Sequence, residues 1–135
     1  MGPGRILVVD DDPDARSSVR AVLVKDGYDV VEAEDGEKGI EAIRAGDNPL
    51  LVDTIICDVR MPKINGIEAI VYFRGQFPTV PVVVMTGYPD LESATDLMKL
   101  GVFDYLVKPV DPNKLLDVVK KATEEHVLFK DQIRT

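Results

Sequence analysis

Short apolar runs recur along the chain, separated by longer stretches in which apolar positions follow a helical spacing. The runs are rich in β-branched residues and stop at polar or turn-forming residues, which is typical of buried strands. The pattern predicts five strands, at Ile6–Val9, Tyr28–Ala33, Thr54–Cys57, Pro81–Met85 and Tyr105–Val107.

The stretches between these runs carry helix start and stop signals. Asp12-Pro13 and Asp111-Pro112 each place a capping acid before a proline at the first helical position. Residues 47–53 fit neither period and receive no assignment. The predicted helices run from Asp12 to about Lys25, from Asp35 to near Gly46, from Gly66 to Gln76, from Asp90 to Gly101 and from Asp111 onward.

The alternation of strands and helices predicts the fold class. Strands separated by helices of this length require right-handed crossovers and therefore a parallel sheet. Because the strands are continuously apolar, we expect helices on both faces, in an α/β doubly wound arrangement.

Composition narrows the classes of function. The chain has 135 residues and a formal net charge of −8, so direct nucleic-acid binding is not expected. Cys57 is the one cysteine, which excludes an internal disulfide and favours a reducing, cytoplasmic location. No apolar run is long enough to span a membrane, and no signal peptide is visible.

Polar side chains collect where the predicted strands end. The carboxyl ends of parallel strands form one rim, where such folds place their functional crevice. Crowded carboxylates require a proton or a cation, and oxygen-only ligands favour a hard cation such as Mg²⁺. A carboxylate beside Mg²⁺ can attack a phosphoryl group. The rim residues are Asp10, Asp11 and Asp12 after the first strand, Asp58 after the third, Thr86 after the fourth and Lys108 after the fifth.

These residues lie within motifs that resemble bacterial two-component response-regulator receiver domains. The resemblance covers roughly residues 5–122 and implies a flavodoxin-like sheet of order 2-1-3-4-5. It divides the chain into an N-terminal tail (1–4), a receiver domain (5–123) and a C-terminal helical extension or linker start (124–135). The motifs are Ile6-Leu7-Val8-Val9-Asp10-Asp11-Asp12-Pro13, Asp58-x-x-Met61-Pro62-x-x-x-Gly66, Met85-Thr86-Gly87 and Lys108-Pro109.

The resemblance implies a metal-dependent phosphorylation site. Asp58 matches the phosphorylated aspartate. Asp10, Asp11 and the backbone carbonyl of Arg60 match the groups that hold Mg²⁺ or Mn²⁺ beside it. Asp12 is expected to act only as the helix cap.

The resemblance also implies a switch. Thr86 and Lys108 match the residues that bind the phosphoryl group, and Tyr105 matches the aromatic residue that changes its exposure with Thr86. The bond from Lys108 to Pro109 is expected to be cis.

The implied partner is a histidine kinase or a phosphotransfer protein. The implied output surface is formed by the fourth predicted helix, the fifth strand and the fifth helix. A homodimer could use that surface or the C-terminal helix. The chain would then be a phospho-acceptor switch rather than an enzyme that turns over a substrate.

Two positions depart from the commonest pattern of the family. Arg60 follows Asp58 by two residues, and Tyr88 follows Thr86 by two, where many members have smaller or acidic groups. We hypothesise that these bulky side chains shield the phosphoryl group from hydrolytic water.

Three other functions remain open. A phosphatase with an aspartate nucleophile usually has a second acid two residues later, where this chain has Arg60. A phosphate-independent interaction module would not need the complete set of acids, hydroxyl and lysine. The chain could also be the receiver part of a larger transcription regulator, because residues 86–105 resemble receivers that precede ATPase-driven activators.

The C-terminal region has two interpretations. A heptad-like spacing of apolar positions predicts a paired or linker-like helix. Alternatively, Leu115, Val119 and Ala122 pack on the sheet and the remainder frays. His126 is expected to lie beyond the main fold and to have no catalytic role. The spaced positions are Leu115, Val119, Ala122, His126, Phe129 and Ile133.

Overall fold

The computed structural model describes residues 3–59, 66–87 and 94–134. Within them, five strands form one parallel sheet of order β2-β1-β3-β4-β5, which confirms the predicted topology. The strands are β1 (Arg5–Val9), β2 (Asp29–Ala33), β3 (Val52–Asp58), β4 (Val82–Thr86) and β5 (Asp104–Val107). The helices are α1 (Pro13–Lys25), α2 (Gly36–Arg44), α3 (Asn48–Leu51), α4 (Gly66–Gln76), α5 (Ala94–Lys99) and α6 (Pro112–Arg134).

Helices cover both faces of the sheet, as the apolar strands require. On one face, α2, α4 and α5 pack side chains such as Ile43, Phe73 and Leu97 against the strands. On the other face, α1 and α6 contribute Leu23 and Val119 to a second core. Every residue of the central strand β3 is buried, because helices lie above and below it and strands lie on either side.

Local signals explain where the first two long helices begin. The Asp12 side chain accepts a hydrogen bond from the Asp14 backbone N–H, and the Asp35 side chain accepts one from Lys38. Gly27, after α1, has a φ of +96°, in the left-handed region that glycine enters without strain. These caps confirm the predicted starts of α1 and α2.

The unassigned stretch 47–53 forms the short helix α3 and the start of β3. The Arg5 guanidinium fixes this connection, because its Nη1 lies 2.8 Å from Asp47 Oδ1 and donates to Asn48 Oδ1 at 3.0 Å. The hydrogen bond from Arg5 lowers the pKa of Asp47 below its usual value. The extra helix also shifts the numbering, so the predicted output surface consists of α5, β5 and α6.

Helix α6 runs without interruption from Pro112 to Arg134. Leu115, Val119 and Ala122 are fully or almost fully buried against the sheet, which confirms the packing interpretation for these residues. His126 is also buried, so the expectation that it lies beyond the main fold was wrong. The side chains of Phe129 and Ile133 lie outside the described residues. None of the helices in the described ranges is both long and apolar enough to cross a bilayer.

Candidate functional site

Lys108 and two aspartates form the centre of the site. Lys108 Nζ lies 2.7 Å from Asp10 Oδ2 and donates a hydrogen bond to Asp58 Oδ2 at 3.0 Å. Asp10 is completely buried and Asp58 is 5% exposed. Buried carboxylates require a charged or hydrogen-bonding partner, and Lys108 provides one for both.

The sheet register brings these residues together. Asp10 directly follows β1, Asp58 is the last residue of β3, and Lys108 directly follows β5. Backbone hydrogen bonds continue past the strand ends, from Asp10 N to Ala33 O at 3.1 Å and from Lys108 N to Thr86 O at 2.8 Å. Asp10, Asp58 and Lys108, each predicted at the end of a strand, therefore form one cluster of side chains.

A third carboxylate completes an acidic group. Carboxylate oxygens of Asp10, Asp11 and Asp58 all lie within 4.8 Å of one another, and Asp11 is exposed. With formal charges counted, three carboxylates against the Lys108 ammonium leave an excess of two negative charges. Oxygen donors on one side, and access from solvent on the other, suit a hard divalent cation that keeps water or a substrate oxygen as its other ligands.

Lys108 is held in its charged form. Burial alone disfavours the ammonium, but hydrogen bonds to Asp10 and Asp58 outweigh this effect and raise the pKa of Lys108. The site therefore presents a fixed positive charge at neutral pH. A cation in this position can stabilise charge that develops on the oxygens of a transferred group.

The remaining predicted residues lie on the adjoining strands. Thr86 ends β4 and is fully buried, and Tyr105 in β5 is partly buried and packs against the core. The peptide bond from Lys108 to Pro109 is cis, as the resemblance implied. Arg60 and Tyr88 lie outside the described residues.

The cysteine next to Asp58 belongs to the core. Cys57 is completely buried, and this burial, followed by the charges of Asp58 and Asp10, raises the pKa of its thiol well above the usual value. The thiol therefore stays protonated and is a packing group.

A polar cluster that was not predicted from the sequence lies at the opposite end of the sheet. His126 Nδ1 lies 2.9 Å from Asp53 Oδ1, and the hydroxyls of Thr54 and Thr123 lie 2.9 Å apart. We call these four residues the basal cluster. The spacing of four between Ala122 and His126 was a signal that the histidine shares the buried face of α6.

A second missed feature is Arg16 in α1. Its Nη1 donates to the backbone carbonyl of Asp10 at 2.7 Å, and its Nε donates to Glu32 Oε1 at 3.1 Å. An arginine on a predicted helix near the rim was visible in the sequence. Its contact with the backbone was not.

Comparisons with known proteins agree with this geometry. The family model described as the response regulator receiver domain matches residues 6–120. The chain is 37% identical over 117 residues to the transcriptional regulatory protein ZraR of Escherichia coli K12, covering 87% of this chain and 26% of the relative. It is 32% identical over 130 residues to GlrR of the same organism, covering 96% of this chain and 28% of the relative. The chain thus spans about a quarter of the length of these curated relatives.

Solved structures give the same result. A receiver domain protein from Clostridium thermocellum matches with a TM-score of 0.80 at 28% identity, covering 96% of this chain and 98% of that one. NtrX from Brucella abortus, in complex with ADP, matches with a TM-score of 0.86 at 26% identity, covering 97% of this chain and 29% of that one.

Proposed function

The chain belongs to the response regulator receiver domain family, and from that premise we propose that Asp58 accepts a phosphoryl group from a histidine kinase or a phosphotransfer protein. The observation that carries the proposal is the contact of one ammonium, Lys108, with both Asp10 and Asp58 beside the acidic group. Receivers act in two-component signalling. We propose Asp58 as the acceptor, Mg²⁺ or Mn²⁺ as the metal and a phosphohistidine as the donor.

The proposed reaction transfers the phosphoryl group between two side chains. A carboxylate oxygen of Asp58 forms a P–O bond as the P–N bond of the donor phosphohistidine breaks. The imidazole leaves with the bonding electron pair and is protonated on its ring. Asp58 then carries a phosphate, and the charge near α5, β5 and α6 changes.

Residues of this chain would stabilise that transfer. Mg²⁺ or Mn²⁺, held by Asp10, Asp11, Asp58 and the backbone carbonyl of Arg60, would supply positive charge next to the phosphoryl oxygens. The Lys108 ammonium would bind another phosphoryl oxygen, exchanging its contact with Asp58 for one with the phosphate. The Thr86 hydroxyl would donate a hydrogen bond to the same group.

The change would be transmitted through β4 and β5. Thr86 is fully buried at the end of β4, and Tyr105 lies on the neighbouring strand β5. We propose that movement of the Thr86 hydroxyl toward the phosphate alters the exposure of Tyr105. Met98 of α5 and Val107 of β5 are 46% and 42% exposed, so an apolar partner, including a second copy of the chain, could bind there.

The names of the curated relatives suggest where the switch could act. ZraR and GlrR are transcriptional regulatory proteins, and each is several times longer than the matched segment. We propose that this receiver controls an effector of that kind, either in the same polypeptide or as a separate protein. In either case, it acts as a switch rather than an enzyme that releases a product.

The acceptor can be tested by mass spectrometry. We expect one phosphoryl adduct after incubation with acetyl phosphate or phosphoramidate and Mg²⁺, and none in Asp58→Asn. Asp12→Asn is the matched control, because asparagine can also cap α1 and the neighbouring acids remain. An adduct that persists in Asp58→Asn would place the acceptor elsewhere. The absence of any adduct, while a known receiver is labelled in parallel, would favour the interaction module.

The lifetime of the phosphorylated form tests the proposed shield. We expect phosphorylated protein to decay several times faster in an Arg60→Asn, Tyr88→Glu double variant, because smaller or acidic groups admit and orient water. Decay is followed by intact mass after the phosphodonor is removed. An Arg44→Asn, Tyr72→Glu variant changes the same residue types outside the site and is the control. Equal decay in the first variant and the wild type would contradict the shield.

A further inference from the structure

Arg16 connects helix α1 to the backbone of the acidic loop. Its side chain is only 20% exposed and contacts Asp10, directly after β1, and Glu32, in β2. Nη1 donates to Asp10 O at 2.7 Å, while Nε donates to Glu32 Oε1 at 3.1 Å. Two donors of one planar guanidinium are therefore directed at two partners in fixed positions, which lysine cannot reproduce.

This contact completes the set of partners around Asp10. Its backbone N–H donates to Ala33 O at 3.1 Å, and its Oδ1 accepts from the Asp12 N–H at 3.0 Å. Its Oδ2 lies 2.7 Å from Lys108 Nζ. Arg16 is the described donor to the remaining polar atom, the backbone carbonyl. Asp10 is thus held from β2, the loop, the end of β5 and α1.

The carbonyl of Asp10 shares a peptide plane with the N–H and Cα of Asp11. A planar peptide moves as a unit, so a donor that fixes this oxygen also fixes the position from which the Asp11 side chain extends. Asp11 is the exposed member of the acidic group. Because the Asp11 side chain is exposed, burial does not fix its carboxylate. The placement of this carboxylate therefore depends on the backbone.

We propose that Arg16 is a positioning residue that orients Asp11 for binding of the divalent cation, acting through the Asp10 carbonyl. The inference rests on the proposed function, since it assumes that the acidic group binds a cation. Groups that orient metal ligands without touching the metal commonly change metal affinity by about 10- to 100-fold when removed.

Charge and geometry predict opposite effects of removing Arg16 on the affinity for the cation. The guanidinium is positive, so its loss alone would strengthen the binding of a cation nearby. Loss of the hydrogen bond to Asp10 would weaken it. Because Glu32 already neutralises much of the charge of Arg16, we expect the geometric effect to dominate.

The chain contains a matched control for the charge. Arg20 lies one helical turn after Arg16 and its Nη1 contacts the other oxygen of Glu32, Oε2, at 3.2 Å. Arg20→Ala removes an arginine and a partner of Glu32, as Arg16→Ala does, but retains the hydrogen bond to Asp10. Any difference between the two variants therefore reports that bond.

The test is the dissociation constant for Mg²⁺, measured by calorimetric titration of the metal-free proteins, with the Tm measured without metal. We expect Arg16→Ala to raise the Kd about tenfold and Arg20→Ala to leave it unchanged. Arg16→Lys should give a smaller rise, since one ammonium can reach the carbonyl but not both partners. If Arg16→Ala does not fold, the Kd of Arg16→Lys for Mg²⁺ tests the proposal instead, and a value equal to that of the wild type would contradict it.

Three outcomes would overturn the inference. A Kd for Arg16→Ala that equals or falls below the wild-type value would mean that Arg16 positions nothing that the cation requires. An equal rise in Arg20→Ala would assign the effect to Glu32 or to charge. If the wild type itself binds no Mg²⁺, the proposed function fails and this inference fails with it. The first two outcomes leave the proposed function intact.

Discussion

Gly66→Ala is expected to lower the free energy of unfolding by roughly 3 kcal/mol. A Cβ at position 66 would clash with the backbone oxygen of Asp58 and would lie 2.5 Å from both Cα and O of Val59. These are backbone atoms at the end of the central strand, so no side chain can rotate away. The Gly66 N–H also donates to Val59 O at 3.0 Å, which ties the start of α4 to that strand.

Relief of this clash would displace the backbone that carries the proposed acceptor. We therefore expect Gly66→Ala to slow phosphorylation of Asp58 as well as to reduce stability. Urea unfolding measures the stability, and adduct formation with acetyl phosphate measures the second effect.

Gly75→Ala is the control for this prediction. Gly75 lies in the same helix, but a Cβ there would have no atom within 4 Å. Alanine is a better helix former than glycine, so this variant should be about 0.5–1 kcal/mol more stable than the wild type. If Gly66→Ala were as stable as the wild type, the close packing of α4 on the end of β3 would be disproved.

His126→Ala is expected to lower the free energy of unfolding by about 2–4 kcal/mol, although the proposed phosphorylation site lies at the other end of the sheet. The variant removes the partner that lies 2.9 Å from Asp53 Oδ1, in a place where the histidine is 3% exposed. The Asp53 carboxylate would keep its hydrogen bond from the Arg5 N–H, at 3.2 Å, but would lose its partner on α6. A buried acceptor that loses one of its partners is no longer fully compensated for the cost of its desolvation.

Thermal and urea unfolding of His126→Ala, Asp53→Ala and the double variant would isolate the pair. Since the two side chains interact directly, the double variant should be less destabilised than the sum of the single variants. Leu128→Ala, on the same helix but 63% exposed, should change little. A cost for His126→Ala no greater than that for Leu128→Ala would contradict the importance of this contact.

The sequence predicted the sheet and the rim because both depend on local signals. Apolar runs such as Val82–Met85 favour burial, and Asp12-Pro13 is typical of a helix start. Once the strands are parallel, the residues that follow them must meet at one edge. The juxtaposition of Asp10, Asp58 and Lys108 followed from the parallel strands together with the strand order that the family resemblance implied.

The features that were missed depend on contacts between residues far apart in the chain. Helix α3 is too short to show a helical period of apolar residues. Its start is held by Arg5, which lies in strand β1. Strand β3 begins at Val52, two residues earlier than predicted, because the polar residue Asp53 has a buried partner, His126, on α6. Local hydrophobicity cannot reveal a partner that lies about seventy residues away.

The basal cluster fixes the rotation of α6 about its own axis. With 23 residues and a rise of about 1.5 Å per residue, the helix is about 35 Å long. Each further residue turns the helix by about 100°, so any group joined to its end has an angular phase set by Thr123 and His126. Inserting one residue after the cluster would rotate such a group by more than a quarter turn, whereas inserting seven would nearly restore its orientation. An attached effector would therefore respond to the phase of an insertion more than to its length.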